Sequence, residues 1–348
     1  MGKRHILLIG PLPPPNGGVS IHVHRLAKML SGKYIFDYID ESKTVKPEYF
    51  NFRSLHLIRY LKKLIKSDLV YIHSGTPALQ YFHIVAGKIT GSRVMITLHA
   101  YPFKKKWLPR ILDRILFSLA NEIILVNPLF KERISLSEKK CSIQNAFIPP
   151  IMEEESCLPD HIVQWIKTAA DNNHKVICSN AWRLDVFNNQ DLYGLDLCIE
   201  VTARLLKKGY LVKFIFNIAT IDKYAASYKQ YQEKINGMNL DNHFLLINEQ
   251  LSFVRLMEQS DVFVRPTNTD GDSLSIRESL FLGRKTLASD VVERPAGTIL
   301  FKNRDIDDFE EKLQLVLKEP LLDKSTAHEK EMEKYKSYYD EMIDRVLN

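Results

Sequence analysis

The feature that most constrains this chain is an alternation running almost its whole length: short runs of Val, Ile and Leu, each followed by a longer stretch with helical period. In the first half "HILLIG" (5–10), "LVYIH" (69–73), "VMITLH" (94–99) and "EIILVN" (122–127) read as strands. Between them lie helical patterns such as "VSIHVHRLAKML" and "LHLIRYLKKLIKS". The second half repeats the scheme with "KVICSN" (175–180), "LVKFIFNI" (211–218), "HFLLIN" (243–248), "DVFVRP" (261–266) and "KTLASD" (285–290). Strands so rich in Val and Ile, separated by helices, predict parallel α/β sheets covered on both faces.

At 348 residues the chain exceeds one comfortable core and suits two domains. The order is interrupted once, by the three prolines and acidic run of "FIPPIMEEESCLPD" (147–160). The charge changes sign at the same place. Residues 1–150 hold 23 Lys and Arg against 9 Asp and Glu, or +14; the remainder holds 25 against 33, or −8. The expected domains are 1–155 and 156–330, both Rossmann-like, with a C-terminal helix at 331–348 packing back on the first. The fold class is α/β: two doubly wound domains facing each other across a cleft, with ligands at the carboxyl ends of the strands.

The four cysteines form no Cys-x-x-Cys pair, which points to a reducing cytoplasm rather than zinc or a disulfide framework. No apolar run approaches the ~20 residues that span a bilayer. The run Ile6 to Ile9 is too short for a signal-peptide core and reads as a first buried strand. A basic first half attracts phosphates, whether on nucleic acid, a nucleotide or an anionic membrane, and charge alone does not choose.

Four strand-to-helix turns carry candidate chemistry. In "GPLPPPNGGVSIHVHRL", Gly17 and Gly18 let a bound group approach the backbone and the helix-start amides favour an anion, or they serve turn geometry alone. Neither a Gly-x-Gly-x-x-Gly fingerprint nor a P-loop is present. In "MITLHAYPFKKKWLPR", His99 ends a buried strand as a site residue or a structural one. Phe103, Lys104, Lys105, Lys106 and Trp107 make a membrane-surface patch or a solvated basic helix start. Arg183, after "VICSNAW", has the planar fork that suits a diphosphate, unless it is a plain surface arginine. In "RPTNTDGDSLSIRESLFLG" (265–283), Asp270 and Asp272 read as a two-carboxylate metal clasp, as helix-dipole partners, or as part of a metal-free site. Ser275 and Glu278 also fit a capping box.

In order and spacing these four turns resemble the retaining family-4 nucleotide-sugar glycosyltransferases of GT-B fold, over roughly residues 5 to 305. The likeness is closest to bacterial enzymes that build capsule, exopolysaccharide or O-antigen chains. The family's Glu-x7-Glu frame falls on Asp270 and Glu278, with Gly271, Asp272, Ser273 and Leu274 in its glycine-containing turn. The resemblance implies that Glu278 binds the donor ribose and Asp270 the hydroxyls of the transferred sugar. The backbone of Gly271 to Leu274 would cradle sugar and phosphate, with Asp272 brushing the sugar. It further implies that Arg183 neutralises the departing diphosphate, that Gly17 and Gly18 wall the phosphates, and that His99 lies near the reacting centre. Two departures stand out: Asp270 is shorter than the usual Glu, and Tyr193-Gly194 occupies the frame of a Lys-Gly pair.

The implied reaction moves a sugar from a nucleoside diphosphate donor to an acceptor hydroxyl with retention. Catalysis would rest on positioning and on stabilising the leaving diphosphate, with no metal and no cofactor beyond the donor substrate. Implied partners are the nucleotide sugar, a lipid-linked or oligosaccharide acceptor, and an anionic membrane surface met from the cytoplasm by the basic half; nucleic acid is not expected. Two alternatives are a GT-B-fold nucleotide-sugar epimerase and a basic, non-catalytic nucleic-acid-binding protein.

Overall fold

The computed structural model describes residues 2–14, 17–100, 107–134, 140–221, 224–319 and 325–348. The chain divides into two compact units, Met1–Ile148 with Lys330–Asn348, and Pro149–Glu329.

In the first unit β1 (His5–Gly10), α1 (Gly18–Leu30), β2 (Ile35–Asp40), β3 (Phe50–Asn51), α2 (Leu57–Ile65), β4 (Leu69–Ile72) and α3 (Pro77–Ile89) follow in turn. They are succeeded by β5 (Arg93–Leu98), α4 (Trp107–Ser118), β6 (Glu122–Leu125), α5 (Leu129–Ile134) and β7 (Cys141–Ile143). The strands form one parallel sheet in the order β3-β2-β1-β4-β5-β6-β7. The apolar strands are explained by burial on both faces: Leu7, Ile9, Val70, Ile72, Val94, Ile96 and Ile123 share a core with Tyr60, Leu64, Ile84 and Phe117.

The first unit has three strands that apolar runs do not announce. β2 lies toward one edge, is exposed at Ile35 and Asp37, and ends in the buried Asp40. That carboxylate accepts from Lys46 Nζ at 2.8 Å, Ser42 Oγ at 2.7 Å and the Leu12 amide at 3.1 Å, which fixes the loop leaving β1. Burial alone would raise its pKa, but Lys46 and Ser42 hold it below the usual carboxylate range.

The second unit contains α6 (Asp160–Asp171), β8 (Lys175–Ala181), β9 (Val186–Phe187), β10 (Gln190–Asp191), α7 (Leu195–Lys207), β11 (Val212–Ile218) and α8 (Ala225–Gly237). It continues through β12 (Phe244–Ile247), α9 (Phe253–Glu258), β13 (Val262–Arg265), α10 (Leu274–Phe281), β14 (Lys285–Ser289), β15 (Ile299–Phe301) and α11 (Ile306–Lys318). Its parallel sheet runs β12-β11-β8-β13-β14-β15. β9 and β10 form a separate hairpin whose turn residues, Asn188 and Asn189, have φ of 51° and 59°, the backbone a two-residue primed turn requires. Both sheets reverse direction once, between β1 and β4 and between β8 and β13. Such switch points open a crevice at the carboxyl ends of the strands.

The units part at Ile148, seven residues before the expected 155. His22 Nδ1 bonds the Ala146 carbonyl at 2.8 Å and Arg25 donates to that of Ile148 at 3.2 Å, tying this segment to the first unit. Met152 and Glu155 instead accept from Arg255 in the second. The final helix, α12 (Ser325–Leu347), returns to the first unit from Lys330 onward. Tyr335, Tyr339, Ile343 and Val346 form its buried stripe, at the three- and four-residue spacing of one helix face. Asp344 pairs with Lys33 at 2.6 Å and Arg345 with Glu122 at 2.6 Å.

Candidate functional site

In the second unit the residues that follow β8 and β13 meet at the switch point. Arg265, the last residue of β13, directs Nε and Nη2 to the Asp270 carboxylate at 3.1 and 3.3 Å and Nη1 to Asn180 of β8 at 3.4 Å. Its guanidinium lies 5.4 Å from the centre of the Tyr193 ring, within cation–π range. Arg294, in the loop after β14, reaches the same carboxylate through Nη1 at 2.9 Å and anchors Nε on the Ser289 carbonyl at 3.1 Å. Thr267 Oγ1 and the Gly271 amide complete the set at 3.2 and 3.0 Å.

Asp270 thus accepts five hydrogen bonds within the chain, against about four lone-pair sites. These bonds give Asp270 a second role beside the sugar-binding one expected of it: the carboxylate holds two arginines in place. Burial alone would raise its pKa, but Arg265 and Arg294 hold it below the usual carboxylate range. The side chains of Asp270 and Arg294 are only 10% and 2% exposed, so this is a buried charge cluster rather than a surface pair.

Arg183, two residues beyond the end of β8, is 46% exposed, with Nη2 2.8 Å from Asp185. Counting Arg183, Arg265 and Arg294 against Asp185 and Asp270, cations outnumber anions by one. The loop carrying Arg183 is fastened at its far end. Asp191 accepts from the amides of Tyr193 and Gly194 and from Tyr231 Oη at 2.7 Å. Gly194 has φ +72°, and a Cβ there would fall 2.3 Å from the Pro266 carbonyl oxygen. Only glycine allows this approach, so the Tyr193-Gly194 pair clasps the strand that delivers Arg265.

α10 begins differently from the capping box expected of Ser275 and Glu278. Its N-cap is Ser273, which makes no capping bond; its Oγ faces Ser275 Oγ at 3.1 Å. Ser275 and Glu278 lie inside the helix, and Glu278 is buried. First-turn amides have no intrahelical acceptor, and among the described residues no side chain caps them, so α10 turns these donors and the positive end of its dipole toward the arginine cluster. Gly271 leaves open space in front of that turn. Asp272 pairs with Arg277 at 2.8 Å, whereas Asp270 holds Arg265 and Arg294. The two carboxylates therefore serve different arginines.

In the first unit Gly17 caps α1 in extended conformation and Gly18 opens it. A Cβ on Gly17 would meet only Ser20 Oγ at 3.8 Å, and one on Gly18 would meet nothing within 4 Å. A side chain would fit at either glycine, and the Gly17 amide is already taken by Ser20 Oγ at 2.9 Å. His99 follows β5 and packs with two partners the sequence analysis did not single out. Its Nε2 lies 3.2 Å from Nδ1 of His73, which follows β4, and its ring centre 4.8 Å from that of His22 on α1. Burial lowers the pKa of His22 to about 4 and those of His73 and His99 well below the ordinary value. A legible signal existed: "LVYIH" and "MITLH" both end in histidine, and β4 and β5 are neighbours. Phe103, Lys104, Lys105 and Lys106 lie outside the described residues; Trp107 opens α4, and its side chain also lies outside them.

No protein-family model matches the chain, and no curated protein matches its sequence. Solved structures do match. A glycosyltransferase from Rickettsia africae superposes with a TM-score of 0.65 at 14% identity, over 100% of this chain and 96% of that one. Anabaena Alr3699/HepE in complex with UDP and glucose gives 0.62 at 14% identity, over 91% and 90%. The E. coli trehalose-6-phosphate structure bound with UDP-2-fluoro glucose gives 0.60 at 14%, over 99% of both chains. The chain has the two-unit, Rossmann-like GT-B fold of these glycosyltransferases.

Proposed function

We propose that this protein is a nucleotide-sugar glycosyltransferase whose second unit binds the donor. The observation that carries the proposal is the meeting of Arg265 and Arg294 on Asp270 at the β8/β13 switch point, just before the start of α10, with Arg183 two residues beyond β8. Preorganised guanidiniums and helix-start amides are what a departing nucleoside diphosphate requires. Solved structures of the same fold hold UDP or a UDP-sugar analogue, which makes UDP-sugars the first donors to try.

In this reading Arg183 closes on the diphosphate, and the amides of Asp272 to Leu274 cradle phosphate and sugar. Glu278 reads the ribose, and Asp270 sets the two inner arginines. Charge on the leaving group is met by arginine, so donor binding needs no divalent cation. Transfer retains the anomeric configuration, the leaving phosphate oxygen taking the acceptor proton. The same reading has Gly17 and Gly18 walling the donor phosphates and His99 near the reacting centre.

The acceptor is a glycan on a lipid carrier, in the synthesis of bacterial surface polysaccharide. α2 supports a membrane-facing first unit: it exposes Leu57, Ile58 and Ile65 together with Arg59, Lys62 and Lys66, the mixture that lies on an anionic interface. No helix among the described residues is long and apolar enough to cross a membrane. Incubation with UDP-sugars and lipid-linked acceptors, with the product linkage read by NMR, tests the reading. An α-linked product from an α-linked donor supports it. Donor conversion without acceptor would indicate an epimerase, and an inverted product would refute retention.

A further inference from the structure

His22, His73 and His99 come from three separate elements of the first unit, yet one ring nitrogen from each lies within 4.8 Å of the others. We propose that these three imidazoles form a binding site for one divalent transition-metal ion of the zinc class. The site lies at the carboxyl ends of β4 and β5, under the start of α1; it shares His99 with the transferase reading but is argued from the histidine geometry alone.

Three observations support it. The separation of His73 Nδ1 and His99 Nε2, 3.2 Å, is close to the edge of a tetrahedron with metal–nitrogen bonds of about 2.0–2.1 Å, roughly 3.3 Å. His22 bonds the Ala146 carbonyl through Nδ1 at 2.8 Å. That donor assignment leaves Nε2 as a bare lone pair, and the outward N–H to a carbonyl is the usual second-shell arrangement of a metal-bound histidine. Finally, His22 Nε2 is buried without a hydrogen-bond partner among the described residues, a situation that ordinarily destabilises a fold unless something satisfies the atom.

The surroundings fit this arrangement. A Cβ on Gly10 would touch His73 Cβ at 3.0 Å, so the glycine that ends β1 lets the backbone at His73 come close. An all-nitrogen donor set selects Zn2+, Co2+, Ni2+ or Cu2+ over the oxygen-seeking Mg2+ and Ca2+. Three protein ligands leave a fourth position for water or for an oxygen of a molecule arriving at the strand ends.

The test uses full-length protein without a histidine tag, stripped with chelator and titrated with Co2+. The expected result is one equivalent bound with the intense visible bands of a tetrahedral nitrogen site, displaced by Zn2+ and indifferent to Mg2+. His99→Gln and His22→Gln should each weaken binding by at least the ~10–100-fold that loss of a second-shell partner costs. X-ray absorption of the Zn2+-loaded wild type should count three imidazoles, a readout that does not depend on either variant folding. Absence of stoichiometric binding, fewer than three imidazoles, or unchanged affinity in both folded variants would overturn the proposal.

Discussion

Replacing Asp270 with Asn removes one negative charge and almost no volume, and it separates the two readings of this residue. The wild-type carboxylate joins Arg265 and Arg294 where it is 10% and Arg294 only 2% exposed. Removing one partner of a buried ion pair costs about 3–5 kcal/mol, because the other charge stays buried and uncompensated. For a unit of this size, spanning 149–329, each kcal/mol moves the midpoint by roughly 2–4 °C, so the variant should melt about 6–20 °C lower. The pH dependence has a definite sign. The folded pKa of Asp270 is depressed, so its stabilisation is fully present above the unfolded value of about 3.9 and is lost as pH falls toward the folded value. The gap between wild type and Asp270→Asn should be constant near neutrality and close in acid. Calorimetry from pH 7 downward checks this, with UDP and UDP-sugar titrations on the surviving fold. If Asp270 positions the arginines, both ligands change affinity together. A variant that melts with the wild type and loses affinity for the sugar moiety alone would refute the clamp.

Arg183→Ala should slow transfer by about 10²–10³, the usual loss when one preorganised donor to a developing charge is removed. It should leave the melting curve unchanged, since the side chain is exposed beside Asp185; steady-state kinetics and calorimetry on one preparation decide it. Gly194→Ala must hold a positive φ and place a methyl against the Pro266 carbonyl, and should lose at least ~1–3 kcal/mol in urea unfolding. Tyr339→Ala empties a fully buried site under α12. A loss of about 3–5 kcal/mol should appear in the first unit, read by hydrogen exchange of β1 and β4.

Much of this architecture was legible because the inner strands of a doubly covered sheet have to be apolar. β1, β4, β5 and β6, and β8, β11 and β13, coincide with apolar runs rich in Val and Ile, while edge strand β12 is legible through Phe and Leu and β14 through Leu287 and Ala288. The strands that were not legible lie away from the sheet centres: β2 with Asp37 and Asp40, two-residue β3, half-buried β7 and half-exposed β15. The candidate site was legible as a place rather than a set of contacts. Arg183, Asp270 and Glu278 stand out by their spacing along the chain. Arg294 lies 24 residues beyond Asp270 beside Glu293, and reads there as ordinary surface charge. Its burial against Asp270 exists only once β14 is laid beside β13. The same holds for His22 and His73, which reach His99 only through the order β1-β4-β5.

The central claim is that a nucleoside diphosphate sugar binds the second unit at the β8/β13 switch point. Hydrogen exchange of the full chain with and without UDP-, GDP-, ADP- and CDP-sugars tests it most directly. The account predicts that one of these slows exchange in 182–194 and 266–278, around Arg183, Arg265 and the start of α10. A chain that answers to none of them, or whose protection avoids both segments, would contradict it.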